Sequence, residues 1–126
     1  MQNSLNDRFA ESLGFEIVEV SRHYAKVRAK ASACSLNGAD VVHGGYLYSL
    51  ADFAFALASN TGEKLALNAS SSISYLKPCG VDTEVFATVR LFAEHGRSGV
   101  FNAEISDAEG NVYAVAQMRA SYKFKA

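Results

Sequence analysis

The sequence predicts an α+β fold in which an antiparallel sheet packs on one face against a single long helix. Only the stretch 43–60 combines the length and the apolar content of a long helix, and it opens on a histidine followed by two glycines. Two strand-like segments precede this helix and four follow it, with no further helical pattern among the four. Strands that follow one another without helices between them favour antiparallel pairing, which leaves one sheet face for the helix.

Length and composition are those of a single globular domain. Of the 126 residues, 49% are apolar and 20% are charged, and the formal net charge is −1 at pH 7. No linker, repeat or low-complexity segment divides residues 1–126, so we expect one domain. A net charge this close to zero gives no basis for binding nucleic acid or an anionic membrane.

Cysteine usage and the N-terminal residues indicate a cytoplasmic protein. Cys34 and Cys79 are isolated and match no metal spacing, so both are expected to be free thiols in a reducing compartment. The N-terminus lacks a basic region followed by an apolar run, and no apolar run approaches the length of a membrane span. We therefore expect neither export nor a membrane partner.

The segments before the long helix predict one short helix and a hairpin. Residues 4–13 carry Leu5, Phe9 and Leu13 four residues apart, which predicts an amphipathic helix that ends at Gly14. Residues 15–21 and 25–31 follow as strands joined by a turn at residues 22–23. The second strand alternates small apolar and basic residues, so one of its faces is expected to be buried and the other solvated.

The long helix has two distinct faces. One face is an apolar stripe at helical spacing that suits the sheet. Its residues are Leu47, Leu50, Ala51, Ala54, Leu57 and Ala58. The other face carries Asp52, the only charged residue of the helix, with Gly45, Tyr48, Ser49, Phe55 and Ser59. Because this second face is also rich in apolar and small residues, a second copy of the chain is the simplest candidate to cover it.

Four strands are predicted after the helix, at residues 66–76, 84–92, 99–106 and 112–124. Residues 107–111 form the turn before the last strand. In the last strand every second residue is expected to face the core: Val112, Ala114, Ala116, Met118, Ala120, Tyr122 and Phe124.

The helix also carries the candidate chemistry. N–H groups at a helix start are unpaired and favour negative charge, and Gly44 and Gly45 leave them approachable. A carboxylate in an apolar helix is costly to bury unless it is paired, hydrogen-bonded or put to use. Acyl transfer to water fits both features: the N–H groups stabilise an oxyanion, and Asp52 acts either as general base or as nucleophile.

The spacing of these two features predicts a site shared between two chains. Asp52 follows Gly44 by eight residues, which is about 12 Å along the helix at ~1.5 Å per residue. A carboxylate side chain does not close that gap to a carbonyl bound at Gly44. Two antiparallel helices related by a two-fold axis would place each Asp52 near the glycines of the other chain.

Two other hydrolytic arrangements are disfavoured. His23, His43 and His95 are dispersed, and none stands at a metal-ligand spacing from another histidine or a cysteine, so no metal site is expected. The sequence also lacks the G-x-S-x-G pattern of a serine nucleophile elbow.

Four short motifs resemble those of the hotdog-fold acyl-CoA thioesterases, and most of all the PaaI-type branch of the phenylacetate pathway. They are residues 36–38 (LNG), 43–45 (HGG), 49–52 (SLAD) and 75–78 (YLKP). The resemblance spans roughly residues 5–124. It implies a hotdog fold, in which a curved antiparallel sheet wraps around the long helix, and a homodimer that commonly pairs into a homotetramer.

The resemblance also implies roles for individual residues. Asp52 stands at the position of the catalytic carboxylate, and Gly44 at that of the oxyanion amide. Asn37 matches the loop asparagine that helps to place the thioester or the attacking water, and His43 matches the histidine beside it. Asn68 occupies the position at which some relatives have a serine that helps to hold water.

The substrate implied by the resemblance is a coenzyme A thioester, with no metal or further cofactor required. Gly45 and Tyr48 are expected to border the substrate. Lys77, Arg97 and Ser98 are candidates for contacts to the coenzyme A phosphates, although each alone is more typical of a solvated surface.

The predicted function is hydrolysis of an acyl- or aryl-CoA to the free acid and coenzyme A. Two alternatives stay open: a hydratase or dehydratase on the same fold, and a non-catalytic module that holds an acyl thioester. A hydratase needs a histidine and an acid acting together on a C–H bond, whereas the glycine pair after His43 favours a bound carbonyl. The presence of Asp52 favours an enzyme over a binding module.

Overall fold

A six-stranded antiparallel sheet and one long helix dominate the structure, a computed structural model that describes residues 7–124. The helices are α1 (Arg8–Ser12) and α2 (Gly44–Ser59), with a 3₁₀ turn at Ala33–Ser35. The strands are β1 (Glu16–Ser21), β2 (Tyr24–Lys30), β3 (Lys64–Tyr75), β4 (Glu84–His95), β5 (Ser98–Ser106) and β6 (Val112–Phe124). The sheet order is β1-β2-β4-β5-β6-β3, and every pair is antiparallel. This architecture confirms the predicted α+β class and the hotdog fold.

Helix α2 lies against the inner face of the sheet and supplies the centre of the core. Its predicted stripe is buried throughout: Leu47 is 3% exposed and the other five residues are 0% exposed. Each leucine removed from water in this way stabilises the fold by about 1.5–3 kcal/mol. Neither described helix is long and apolar enough to cross a membrane.

The second face of α2 is open only in its first half. The open residues are Gly45, Tyr48, Ser49 and Asp52. In the second half Phe55 is 1% exposed and Ser59 is 4% exposed, so the expectation of an uncovered face is wrong for these two residues. Phe55 packs edge-on against Phe101 of β5, with the ring centroids 5.4 Å apart. The sheet of the same chain therefore covers the end of this face, and a second copy is needed only at its beginning.

Helix α1 is present, but only one end of its predicted stripe packs inward, where Leu13 lies half-buried against the core. Leu5 lies outside the described residues, and Phe9 is 63% exposed. Within the helix itself, the residue that turns inward is Ala10, which is 3% exposed and whose small size allows α1 to approach α2. The helix stops before Gly14, which takes a left-handed conformation with φ of 76°.

Strand β6 follows the predicted alternation from Ala114 until its last residue, whereas at its start Val112 is only half-buried and the neighbouring Tyr113 is buried. Ala114, Ala116, Met118, Ala120 and Tyr122 are all buried. Phe124 is instead 77% exposed. It ends the strand opposite Lys64, the first residue of β3, where α2 has already ended.

Strand β3 forms one edge of the sheet and contains a bulge at Ala69. The strand pairs only with β6, and the pairing register shifts between Asn68 and the residue two positions later. Because side chains alternate between the faces of a strand, one extra residue exchanges the faces beyond it. Asn68 and Ser71 consequently point to the same side of the sheet, opposite the buried Ala120 and Met118.

Candidate active site

The loop before α2 is held in place by backbone hydrogen bonds and delivers His43 as the N-cap of the helix. The Val42 N–H donates to the Cys79 carbonyl at 2.7 Å, and the His43 N–H donates to the Ser35 carbonyl at 2.7 Å. The His43 ring then accepts a hydrogen bond at Nδ1 from the Gly45 N–H at 2.9 Å. His43 therefore caps the helix through Nδ1 of its ring.

Of the two glycine amides at the helix start, the one at Gly44 is open. The Gly45 N–H is engaged by His43, whereas the Gly44 N–H meets no acceptor among residues 7–124. Unpaired N–H groups at a helix start point outward along the axis, at the positive end of the helix dipole. The Gly44 N–H is thus the candidate oxyanion donor of the pair.

Tyr75 of β3 explains why position 44 is a glycine. Its hydroxyl donates to the Gly44 carbonyl at 2.8 Å. A Cβ atom at Gly44 would lie 3.0 Å from the Tyr75 ring, closer than packing normally allows. Half of the Tyr75 side chain is exposed, but its hydroxyl is tucked against the helix. This partial burial, and then the neighbouring Tyr48, raise the pKa of Tyr75, so its hydroxyl stays protonated and remains a donor.

Asp52 lies half-buried on the open part of α2 and is held by one side chain of β3. Its Oδ1 accepts a hydrogen bond from Asn68 Nδ2 at 2.9 Å. No described residue donates to its Oδ2. The carboxylate is therefore oriented through one oxygen and presents the other to the space beside the helix.

Asn68 belongs to a ring of hydrogen bonds with Tyr48 and Ser71. The Tyr48 hydroxyl donates to Ser71 Oγ at 2.9 Å, and Ser71 Oγ donates to Asn68 Oδ1 at 2.9 Å. Asn68 Nδ2 closes the ring by donating to the Tyr48 oxygen at 3.3 Å. The structure thus joins Tyr48, Asn68 and Asp52, three of the residues that the sequence predicted, into one cluster between α2 and β3.

The same structure keeps Asp52 and Gly44 apart within one chain. They are eight positions apart on α2, which corresponds to about 12 Å along the axis. Asp52 is bound to Asn68, whereas Gly44 is bound to Tyr75 near the other end of β3. The described residues do not form one complete reaction centre from these two groups.

The side chain of Asn37 organises the loop that precedes the helix. Its Oδ1 accepts hydrogen bonds from the N–H groups of Ala39 at 2.8 Å and Val41 at 3.3 Å. Such a turn fixes the oxygen of the asparagine and leaves its NH₂ group outward. The predicted contact to a thioester or to water thus rests on that NH₂ group and stays a prediction.

The three residues predicted to meet the coenzyme A phosphates lie near opposite ends of α2. Lys77 follows Tyr75 closely, and its Nζ approaches Asn111 Oδ1 at 3.4 Å. Arg97 and Ser98 lie at the turn between β4 and β5, near the end of α2. Helix α2 has 16 residues and is therefore about 24 Å long, so one phosphate group cannot meet all three within a single chain.

Sequence reasoning did not assign a role to Ser71 or Tyr75. Tyr75 stands in the YLKP motif, so a signal for it was present. Ser71 is one of several serines in β3, and regular alternation places Ser70, not Ser71, on the side of Asn68. Only the bulge at Ala69 brings Ser71 into the cluster.

Within residues 7–124 no group of three or more His, Cys, Asp or Glu side chains could hold a metal ion.

Comparison with known proteins gives consistent matches. The family model described as "Thioesterase superfamily" matches residues 39–114, which is more than half of the chain. The acyl-coenzyme A thioesterase PaaI of Escherichia coli is 33% identical over 110 residues, covering 87% of this chain and 79% of that protein.

Solved structures match over nearly the whole chain. The E. coli PaaI protein from the phenylacetic acid degradation operon superposes with a TM-score of 0.92 at 30% identity, covering 97% of this chain and 88% of that one. A variant of the phenylacetic acid degradation protein PaaI of Thermus thermophilus gives a TM-score of 0.85 at 33% identity, covering 94% of this chain and 100% of that one.

Proposed function

Because this chain belongs to the thioesterase superfamily, we propose that it hydrolyses the thioester bond of an acyl- or aryl-coenzyme A, releasing the free acid and coenzyme A. The observation that carries this proposal is the combination of an open Gly44 N–H and an oriented Asp52 carboxylate on one helix. The Gly44 N–H can stabilise the thioester carbonyl oxygen as it becomes negative. The Asp52 carboxylate can activate a water molecule or attack the carbonyl carbon directly.

The reaction has two routes that the same residues support. In the first, Asp52 takes a proton from water as the water oxygen attacks the thioester carbonyl carbon. In the second, an Asp52 oxygen attacks that carbon, and water then hydrolyses the resulting anhydride. In both, the Gly44 N–H stabilises the oxyanion, the C–S bond breaks, and the coenzyme A thiolate leaves and takes up a proton. Neither route requires a metal or a further cofactor.

We propose that the active enzyme is at least a homodimer, because the two groups are too far apart in one chain. The free edge of β3 and the open half of α2 lie side by side and form a continuous surface. Large hydrophobic side chains at this edge are exposed: Tyr75 by 50% and Leu76, the residue after β3, by 62%. An antiparallel second copy on this surface would bring its Asp52 toward Gly44. Pairing of two such dimers would give the homotetramer.

The same antiparallel arrangement bears on the phosphate contacts. It would bring the helix end near Arg97 and Ser98 of one chain toward the helix start of the other. We propose that Lys77 of one chain and Arg97 and Ser98 of the other then approach the same coenzyme A.

The free thiols of Cys34 and Cys79 fit a reducing compartment, and we propose the cytoplasm as the place of action.

The proposed function is tested by measuring thiol release from a panel of acyl-CoAs with phenylacetyl, hydroxybenzoyl, short-chain and medium-chain groups. We expect the wild type to hydrolyse at least one of them. Asp52→Asn keeps the shape of the side chain and its contact site for Asn68, but it removes the basic oxygen, so kcat should fall by about 10²–10⁴-fold. Asp82→Asn, a change of the same kind at an exposed position in a left-handed conformation, should have no effect.

Two outcomes contradict the proposal. If the wild type releases thiol from no member of the panel, the chain is not a thioesterase of this class; binding without turnover would then identify a binding module, and addition of water to an enoyl-CoA would identify a hydratase. If Asp52→Asn retains full activity, the catalytic carboxylate lies elsewhere.

A further inference from the structure

The hydrogen-bond ring beside Asp52 has a direction that bears on catalysis. We propose that Ser71 and Tyr48 are positioning residues for the hydrolysis: they hold the side-chain amide of Asn68 in place while its NH₂ group faces Asp52. This inference rests on the proposed function and adds a role for Ser71 that the sequence did not indicate.

The direction follows from the donors and acceptors of the ring together with those of Asp52. Asn68 has an oxygen that only accepts and an NH₂ group that only donates. Ser71 holds the oxygen, because its own hydroxyl hydrogen points to Asn68 Oδ1 at 2.9 Å. Because the Ser71 and Tyr48 hydroxyls each donate and accept, the direction of the ring is set by the Asp52 carboxylate, which only accepts and therefore takes the NH₂ group; the Tyr48 hydrogen then points to Ser71 Oγ at 2.9 Å. The two hydrogens of Asn68 Nδ2 are then left for Asp52 and for the Tyr48 oxygen.

A reversed amide would place an oxygen against the Asp52 carboxylate. Two acceptors at 2.9 Å repel each other, and the carboxylate would turn away or lose its only partner among the described residues. Without Ser71 and Tyr48, the hydrogen bond to Asp52 would be the only one in this cluster that holds the Asn68 side chain. The ring therefore fixes the carboxylate before substrate arrives, and such preorganisation lowers the barrier of a positioned reaction.

The bulge at Ala69 is what makes the ring possible. In a regular strand Ser71 would face the outer side of the sheet, because it is three residues after Asn68. The extra residue returns it to the inner side, where it stands opposite Met118. Bulges of this kind redirect side chains beside functional sites.

The ring also constrains where the proton goes. Asn68 meets Asp52 through an NH₂ group, whose nitrogen lone pair is delocalised into the amide and does not accept a proton. A proton that Asp52 takes from water therefore remains on the carboxyl group, at the free Oδ2, until the leaving thiolate accepts it. The cluster holds the carboxylate, but it does not carry protons away from it.

The experiment compares Ser71→Ala and Tyr48→Phe with the matched control Ser72→Ala. Ser72 is the next residue on the same strand, but it points to the outer side opposite Gln117. We expect kcat for the best acyl-CoA to fall by ~10-fold in each ring variant, equivalent to ~1.4 kcal/mol, with little change in KM, because the carboxylate and not the substrate is misplaced. Ser71→Thr retains the hydroxyl and should recover most of the lost kcat.

A second readout does not depend on turnover. In the wild type the two Asn68 side-chain hydrogens should give separate, slowly exchanging NMR signals, because each is bound to a different acceptor. In Ser71→Ala and Tyr48→Phe these signals should broaden or merge, while Ser72→Ala leaves them unchanged. Tyr48→Phe removes only one oxygen, so it provides a folded variant if Ser71→Ala is unstable.

The outcomes separate this inference from the proposed function. If the wild type hydrolyses acyl-CoA and both ring variants match Ser72→Ala in kcat and in the Asn68 signals, the positioning role is wrong while the function stands. A rise in KM with unchanged kcat would also overturn it, since it would make Ser71 and Tyr48 substrate contacts. If the wild type has no thioesterase activity, the Asn68 signals still decide whether the ring orients the amide.

Discussion

At the scale of single residues, the hydrogen atom that serves as the side chain of Gly44 has two consequences. It allows Tyr75 to pack against the helix start, where a Cβ would lie 3.0 Å from the ring. It also leaves the Gly44 N–H open to a ligand. Close packing and oxyanion binding are different requirements, and a pair of substitutions separates them.

Gly44→Pro removes the N–H and adds a ring, whereas Gly44→Ala adds only the Cβ that both variants share and keeps the N–H. Proline is tolerated at the first position of a helix, and the His43 backbone, with φ of −60° and ψ of 134°, already suits the residue before a proline. We expect kcat for acyl-CoA hydrolysis to fall by about 10²–10³-fold in Gly44→Pro, the effect of losing one oxyanion donor. Gly44→Ala should retain most of the activity. Equal losses in both variants would mean that packing against Tyr75, and not the N–H, is what the glycine provides.

Residue type and order were enough to predict Asp52 and Gly44 as candidates. A charge in an apolar helix and two glycines at its start both stand out without any structure. Asn68, which binds Asp52, and Ser71, which binds Asn68, were not predictable in the same way. Asn68 was a candidate only because of the resemblance to known thioesterases. The position of Ser71 became known only from the register of β3, because the direction of its side chain depends on one extra residue at Ala69.

At the scale of elements, Asn60 joins the end of α2 to the start of β3. Its side chain donates to the Ala56 carbonyl at 2.8 Å and to the Ala66 carbonyl at 3.2 Å, and it accepts from the Ala66 N–H at 2.9 Å. Asn60 is only 7% exposed, so these groups have little access to water. The sequence indicated Asn60 as a helix stop, but not as a clamp between two elements.

The clamp predicts that Asn60→Asp destabilises the fold although the shape hardly changes. The new oxygen replaces the NH₂ group and faces two carbonyl oxygens, so two acceptors lose their donor in a buried place. We expect the free energy of unfolding, measured with urea, to fall by about 1–3 kcal/mol at neutral pH. Asn102→Asp makes the same chemical change at an exposed position on β5 and should shift it by no more than about 0.5 kcal/mol. Equal effects at the two positions would show that Asn60 is not a clamp.

Periodicity predicted the elements well and their irregularities poorly. The buried stripe of α2 and the alternation of β5 and β6 follow from burial on one side, which the sequence records at each position. Strand β3 is rich in serine and has little apolar alternation for an extra residue to interrupt. Its sequence therefore gave no sign of the bulge at Ala69. Likewise, Phe55 was predicted on the open face because one helix in isolation does not reveal that Phe101 of β5 will cover it.

At the scale of the whole molecule, the question is which chain completes the site that begins at Gly44. The described chain has its carboxylate bound to Asn68 and its open N–H beside Tyr75, about two helical turns apart. In a two-fold dimer with antiparallel helices, each site would take its N–H from one chain and its carboxylate from the other. Two variants that are each inactive, one without the carboxylate and one without the N–H, should then recover activity when they form heterodimers.

Co-expression of Asp52→Ala with Gly44→Pro tests this arrangement. In a heterodimer one site combines the intact Gly44 of the first variant with the intact Asp52 of the second, and the other site carries both defects. Random pairing makes about half of the dimers heterodimers with one of two sites intact, so about a quarter of the wild-type kcat should return. Each variant expressed alone gives the background. If native mass spectrometry shows heterodimers and the activity stays at background, the N–H and the carboxylate of one site come from the same chain, and Gly44 is then too far from Asp52 to be its oxyanion donor.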